Sequence, residues 1–196
     1  MKRTNEIKTA IPLLDAIDIK GKEITADALL TQRKIADYLV GQRKAHYHFT
    51  VKNNQPGLFQ DIALYFEDRQ EPDFVLCDPP DHGRIEIRKI WTTSQLNAYL
   101  DFPHVGQAFA IQREFIDKKT GKVSSKELVY GITSRTKKEA DAQKILKVVR
   151  GHWSIENSCH YILDWNCDED RCRIRTGNGP ENITRLRRFA ISVIKS

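Results

Sequence analysis

Two carboxylates in this 196-residue chain stand where chemistry could be done. Asp27 closes the short β-prone run Glu23–Ala26, and Glu156 follows Arg150-Gly151-His152-Trp153 at the expected start of a helix. Carboxylates gathered from distant parts of a sheet hold Mg²⁺ or Mn²⁺, hard ions that prefer oxygen ligands. Two such ions about 4 Å apart activate water or a 3′-hydroxyl and stabilise the leaving oxygen in phosphodiester cleavage or transfer. With 26 acidic residues in the chain, the plain alternative for either is a surface charge or a helix cap.

Other residues could hold the polyanion such chemistry acts on. Lys52 and Asn54 follow a predicted strand and face the same sheet edge as Asp27, with a solvated loop and Asn54 as helix cap the alternative. His152 could shuttle a proton or touch DNA, and Trp153 could stack on an unpaired base. For His152 and Trp153 a capping or packing role is the alternative. Cys159, His160, Cys167 and Cys172 invite a zinc reading, but no Cys-x-x-Cys pair is present and Cys159 sits in an apolar stripe.

These residues need elements to position them. Glu23–Ala26 reads as a strand; Ile35, Ala36, Leu39 and Val40 recur at helical spacing, with Gly41 where the helix would stop; His46–Val51 alternates as a second strand. Strand, helix and strand over about 30 residues form a βαβ unit with parallel strands and a right-handed crossover. Asp27 then falls at the carboxyl edge of an open α/β sheet, where ligands bind. Asn54 and Pro56 open a helix carrying Leu58, Ile62 and Phe66.

Residues 68–135 read as a β-rich insertion or sheet extension, with a strand over Gly83–Trp91 and a hairpin turning at Lys118–Lys122. Thr136-Lys137-Lys138-Glu139 has the capping-box pattern for a helix carrying Ala142, Ile145, Leu146 and Val149, expected to stop near Gly151. A second helix from about Ser154 would carry Glu156 and His160. Pro180 opens the last helix, with Ile183, Leu186, Phe189, Ala190, Val193 and Ile194 expected inward, Arg185 and Arg188 outward.

Composition bounds the class. Forty per cent hydrophobic residues and four cysteines exclude disorder and a secreted disulfide scaffold. The longest apolar runs, such as Ile24–Leu30 broken by Asp27, fall far short of the roughly 20 residues that span a bilayer. No apolar stretch follows the charged N-terminus as a signal peptide would require, so the expectation is a cytoplasmic protein without a membrane partner. The net charge of +6 is local: the last 26 residues carry seven of the 32 basic and one of the 26 acidic side chains, leaving 25 of each elsewhere. Most of that excess is arginine (Arg171, Arg173, Arg175, Arg185, Arg187, Arg188), whose planar fork suits phosphate. Residues 171–196 thus read as a basic helical tail for a polyanion, or as a solvated helix face.

Several ordered motifs carry a family resemblance. They are Asn5-Glu6-Ile7 with Ile11-Pro12-Leu13-Leu14, Ile24-Thr25-Ala26-Asp27-Ala28 with Gln32, Lys52-Asn53-Asn54-Gln55-Pro56, His82-Gly83-Arg84-Ile85-Glu86, and Arg150–Asn157. Arg171, Arg173-Ile174-Arg175, Gly177-Asn178, Pro180-Glu181-Asn182 and Leu186-Arg187-Arg188 extend the match to the C-terminus. Together they resemble the bacterial insertion-sequence DDE transposases of the H-repeat-associated type.

The resemblance implies a ribonuclease H-like α/β fold whose two aspartates and one glutamate bind Mg²⁺ or Mn²⁺ for strand cleavage and transfer. Asp27 corresponds to the second aspartate and Glu156 to the glutamate. The implied partners are double-stranded DNA at transposon ends and a homo-oligomer or full-length transposase, in a bacterial, nucleoid-associated setting.

Two features depart from the pattern. The family's first aspartate, in an Asp-Gly-Lys context on an earlier strand, has no counterpart: the chain begins about twenty residues before Asp27, and Asp15 and Asp18 have the wrong setting. The expectation is the C-terminal part of the catalytic domain, its N-terminal strands missing, inactive or nearly so alone. The alternatives are a non-catalytic DNA-binding fragment that regulates a full-length transposase, or a decayed reading frame. Where related branches carry an arginine four residues before the glutamate, this chain has His152, and Arg150 is expected to take the phosphate contact.

Overall fold

The computed structural model describes residues 6–69, 71–79, 84–155 and 171–195, with the backbone alone at 153–155 and 191–195. The chain forms two compact units, Met1–Val149 and Arg150–Ser196, taken in turn.

Alternating and β-branched residues make the strands of the first unit. β1 (Glu23–Ala26) pairs in parallel with β2 (His46–Val51), matching Ala26 to Phe49. A single turn of 3₁₀ helix (Ala28–Leu30) and α2 (Arg33–Ala36) connect them, α2 widening into a π-helical turn over Asp37–Gln42. The helix therefore runs through Gly41, where the sequence predicted a stop. Reversal comes at Arg43 and Lys44, the latter with φ +55°. α1 (Glu6–Asp15) precedes the β1–α2–β2 segment and α3 (Pro56–Tyr65) follows it, with Pro56 in the first turn as its fixed φ favours.

β3 (Phe74–Cys77), β4 (Arg84–Thr93), β5 (Gln107–Asp117) and β6 (Val123–Thr133) run antiparallel, and β6 pairs with β2. One six-stranded mixed sheet results, ordered β1-β2-β6-β5-β4-β3 with β1 at an edge. β3 to β6 thus belong to the same sheet as β1 and β2. At the β5–β6 turn Asp117 Oδ1 accepts from the amides of Lys119 (2.9 Å) and Thr120 (2.8 Å), and Gly121 takes φ +66°. The side chain of Asp117 thereby does the work of a backbone turn.

Side-chain alternation splits the core in two. Ala26, Tyr47, Phe49, Val51, Ala108, Ala110, Tyr130 and Ile132 face Ile35, Leu39, Leu58 and Ile62 of the helices that connect and follow β1 and β2. On the other face Ile90, Phe109 and Ile111 meet Ala142, Ile145 and Leu146 of α4 (Ala142–Ile155). Each fully buried aliphatic side chain there contributes about 1.5–3 kcal/mol. Gly131 is required at this layer, because a Cβ would drive into the Phe109 ring and the Phe49 carbonyl.

α4 differs from expectation at both ends. Thr136 and Glu139 do bond as in a capping box, the Thr136 amide donating to Glu139 Oε2 at 2.9 Å. They do so within a turn, and Asp141 caps the helix by accepting from the Lys144 amide at 2.8 Å. The helix then continues through Gly151 to Ile155. Gly151 is exposed and nothing lies within 4 Å of where its Cβ would be, so local crowding gives the chain no reason to break there.

In the second unit, α5 (Gly179–Lys195) begins with Pro180 in its first turn. Arg185 and Arg188 are exposed, but Leu186 and Phe189 are 61% and 67% exposed rather than inward as their spacing predicted. Helical periodicity placed them on one stripe, and no apolar surface covers that stripe among the described residues. No helix among the described residues is long and apolar enough to cross a membrane.

Candidate active site

The parallel pairing of β1 and β2 puts their carboxyl ends on one edge, and the loops beyond them are braced together. Asp27 is the first residue past β1. It occupies the N-cap position of the 3₁₀ turn, where an aspartate would ordinarily accept a bond from the turn's amides. No such bond forms, and the residue is exposed. Its carboxylate is therefore not committed to holding its own turn.

The main chain around it is held instead. The Asp27 carbonyl accepts the Leu30 amide at 3.2 Å. Thr31, fully buried, has its hydroxyl 2.7 Å from the Thr50 carbonyl on β2 and 3.4 Å from that of Asp27. The Asn54 amide donates to the Ala28 carbonyl, and the Gln55 amide to the Thr31 carbonyl at 3.0 Å. Gln55, not Asn54, is the N-cap of α3. Asn54 is thus a tie between two loops at the sheet edge rather than a helix cap.

Lys52 is exposed just past Val51, on the edge shared with Asp27. The structure therefore puts Asp27, Lys52 and Asn54 at one edge of the sheet. Thr31 and Gln55 complete the brace; sequence reasoning missed them because a buried threonine and an amide carry no periodicity or charge signal. Asp15 has a structural role: its carboxylate accepts from the Tyr38 hydroxyl at 2.6 Å and from Arg43 at 2.9 Å.

At the opposite end of β1 lies a second polar cluster, also unannounced by the sequence. Glu23 accepts two bonds from Arg135 (3.0 and 2.6 Å) and one from His48 Nε2 (2.8 Å). Burial pushes the Glu23 carboxyl up, but the hydrogen bonds and charges of Arg135 and His48 outweigh it and hold it below the usual carboxylate value. Burial pushes His48 down despite its bond to Glu23. The ring is therefore neutral with its proton on Nε2, consistent with a buried Nδ1 that has no hydrogen-bond partner. Arg135 is then the charge partner of Glu23, and His48 is a donor.

The second unit holds the other candidates. Arg150 is exposed and His152 half-buried on the last turns of α4. Glu156 and the side chain of Trp153 lie outside the described residues, as do Cys159, His160 and Cys167. Arg171, Arg173 and Arg175 are exposed on an irregular segment that leads into α5. Arg185 pairs with Glu181 one turn away at 2.5 Å, a surface pair of the kind worth about 0.3–0.5 kcal/mol and readily exchanged for another anion. Among the described residues no group of three or more His, Cys, Asp or Glu side chains could hold a metal ion. Asp27 offers one hard oxygen ligand, and the described residues do not complete a metal site around it.

A family model described as a transposase DDE domain matches residues 2–192, and the chain belongs to that family. Among its relatives are the "H repeat-associated putative transposase YhhI" of Escherichia coli (strain K12), 32% identical over 211 residues, and "Putative protein YbfL" of the same strain, 33% identical over 211 residues. "Putative transposase YncI" of Escherichia coli O157:H7 is 32% identical over 202 residues. Each alignment covers 98% of this chain and 50–52% of the relative. The type is the H repeat-associated one that the motifs indicated, and the chain spans about half the length of the curated relatives it matches.

Proposed function

We propose that this chain is the part of an insertion-sequence transposase that carries the second catalytic aspartate, Asp27, and the catalytic glutamate, Glu156. The observation that supports this most is the placement of Asp27: an exposed carboxylate, unused by its own turn, at the carboxyl edge of a parallel strand pair whose loops are tied by Thr31, Asn54 and Gln55. A carboxylate ligand must be held by main chain that does not shift when charge develops, and that brace supplies it. On this reading the mixed sheet is ribonuclease H-like, and Asp27 and Glu156 bind divalent metal, Mg²⁺ or Mn²⁺, for DNA strand cleavage and transfer. A further carboxylate comes from outside these 196 residues.

Lys52, Arg150 and His152 contact DNA, and Trp153 stacks on a base. Asn54 positions the Asp27 loop and contacts phosphate with its remaining polar atoms. Arg171, Arg173, Arg175, Arg185 and Arg188 bind the backbone of double-stranded DNA at the transposon ends. Contacts of that kind give affinity with little sequence choice and a steep dependence on salt. The protein acts as a homo-oligomer or with a full-length transposase at the nucleoid.

Transposition of a marked element in cells, driven by the native reading frame of this chain, tests the proposal. Asp27→Asn and Glu156→Gln are each expected to abolish it. Wild-type levels with either substitution would overturn it, and inhibition by the chain of a full-length transposase, unaffected by Asp27→Asn, would establish a regulatory fragment instead.

A further inference from the structure

A cleft of about 610 Å³ lies between α1 and the start of α2. Lys8 of α1 and Arg33 and Lys34 of α2 line it, with Gln32 and Gln55, and no carboxylate is among its lining residues that the structure describes. Outside the last 26 residues the chain has equal numbers of basic and acidic side chains, so three cations around one cavity are a local concentration that composition conceals. Arg33 is held at the rim by Asp101, 2.5 Å from its guanidinium, whereas Lys8 and Lys34 are exposed. The remaining wall is apolar and includes Ile7 and Ile11.

The cleft is continuous with the Asp27 brace. Gln32 follows Thr31, whose hydroxyl lies against the Asp27 and Thr50 carbonyls, and Gln55 both lines the cleft and holds the Thr31 carbonyl. Gln55 is therefore common to the cleft and the brace.

We propose that this cleft binds a short stretch of single-stranded DNA backbone leading to Asp27, its phosphates on Lys8 and Lys34 and its sugar and base edges on the apolar wall. The cleft's volume of about 610 Å³ falls within the roughly 300–1,000 Å³ of pockets that take one small molecule, room for part of one strand. Cations beside an apolar wall match the alternation of phosphate and sugar. The inference rests on the reading of Asp27 as a catalytic ligand. It adds that the strand reaching Asp27 is unpaired, and that it is held by residues outside the arginine-rich segment.

The test is the salt dependence of binding of a fluorescein-labelled 12-nucleotide oligothymidine and of a duplex of equal length to the whole chain. Lys8→Ala/Lys34→Ala is expected to weaken oligothymidine binding and to lower its log–log salt slope by about 1.4, the loss of two single-strand phosphate contacts, with duplex binding little changed. Lys8→Arg/Lys34→Arg is expected to restore the slope, and unchanged thermal melting of the variants shows that the fold is intact. An unaltered slope, or an equal loss for duplex, overturns the inference while leaving Asp27 untouched. Loss of strand cleavage in Asp27→Asn, measured separately, decides the reading on which it rests. A chain that binds neither DNA overturns both.

Discussion

The side-chain amide of Asn54 donates to the carbonyl of Ala28, the residue after Asp27. A residue beyond the second strand of the parallel pair thereby fixes the loop beyond the first. Because β1 ends at Ala26, little else within its own strand constrains Asp27, and the tie from β2's side becomes the means by which the sheet edge aims that carboxylate.

Asn54→Ala should therefore separate stability from activity. Loss of one exposed hydrogen bond costs about 0.5–1.5 kcal/mol, visible as a small fall in the urea midpoint. On the proposed assignment of Asp27 as a metal ligand, cleavage or transposition should fall by tenfold or more, since misplacing such a ligand by an ångström costs far more than the bond. Equal, small effects on both would show that the tie does not position Asp27.

Thr31→Val tests the buried half of the same brace. The substitution preserves shape and removes the hydroxyl, leaving the Thr50 carbonyl without that donor, for about 1–3 kcal/mol of lost stability. Thr31→Ser keeps the hydroxyl and should recover most of it. Chemical denaturation of the three proteins decides the point.

The Glu23, His48 and Arg135 cluster makes stability pH-dependent in a defined direction. His48 is depressed in the folded state, so the unfolded chain takes up a proton first, and stability falls as pH drops below the ordinary histidine value near 6.5. His46, also depressed by burial and by the neighbouring Arg135, acts in the same sense. Glu23 is held below its ordinary value near 4.5, and its contribution is present above that value and lost as pH falls through the lower, folded one. Melting temperature should thus decline from pH 7 to 5 and more steeply below 4.5. His48→Gln should flatten the first limb, and a wild-type profile level from pH 7 to 5 would contradict the burial argument.

Gly131→Ala should be the most costly single-methyl change in the sheet. The added Cβ meets the Phe109 ring and the Phe49 carbonyl, both in buried layers that have no room to yield, so a loss of about 1–3 kcal/mol or more is expected. Pairing it with Phe109→Leu should recover part of that loss; a neutral single substitution would contradict the packing described.

What was legible in the sequence follows from where the signal lies. Glu23–Ala26, His46–Val51 and the hairpin turning at Lys118–Lys122 declared themselves through alternation and turn residues, and the βαβ reading placed Asp27 at its edge. Gly41 and Gly151 misled because glycine in a helix only lowers its stability by about 1 kcal/mol, and tertiary packing of Leu39 and Ile145 overrides that. Phe74–Cys77 is too short to announce itself as a strand beside Pro72 and Pro79. Leu186 and Phe189 form an apolar stripe by periodicity, yet periodicity does not say what covers it. The brace of Thr31, Asn54 and Gln55 depends on contacts between loops about 25 residues apart in the chain, which no local pattern reports.

The most direct test pairs cleavage with binding, using the product of the native reading frame on a labelled duplex that carries the element's terminal sequence, with Mg²⁺ or Mn²⁺. Asp27→Asn and Glu156→Gln are each expected to lower strand cleavage by at least about a hundredfold, the scale on which single catalytic groups act, with affinity for the duplex within about twofold of wild type. Retained cleavage in either variant, or a wild-type protein that binds the ends and never cuts them, would contradict the assignment of these two carboxylates.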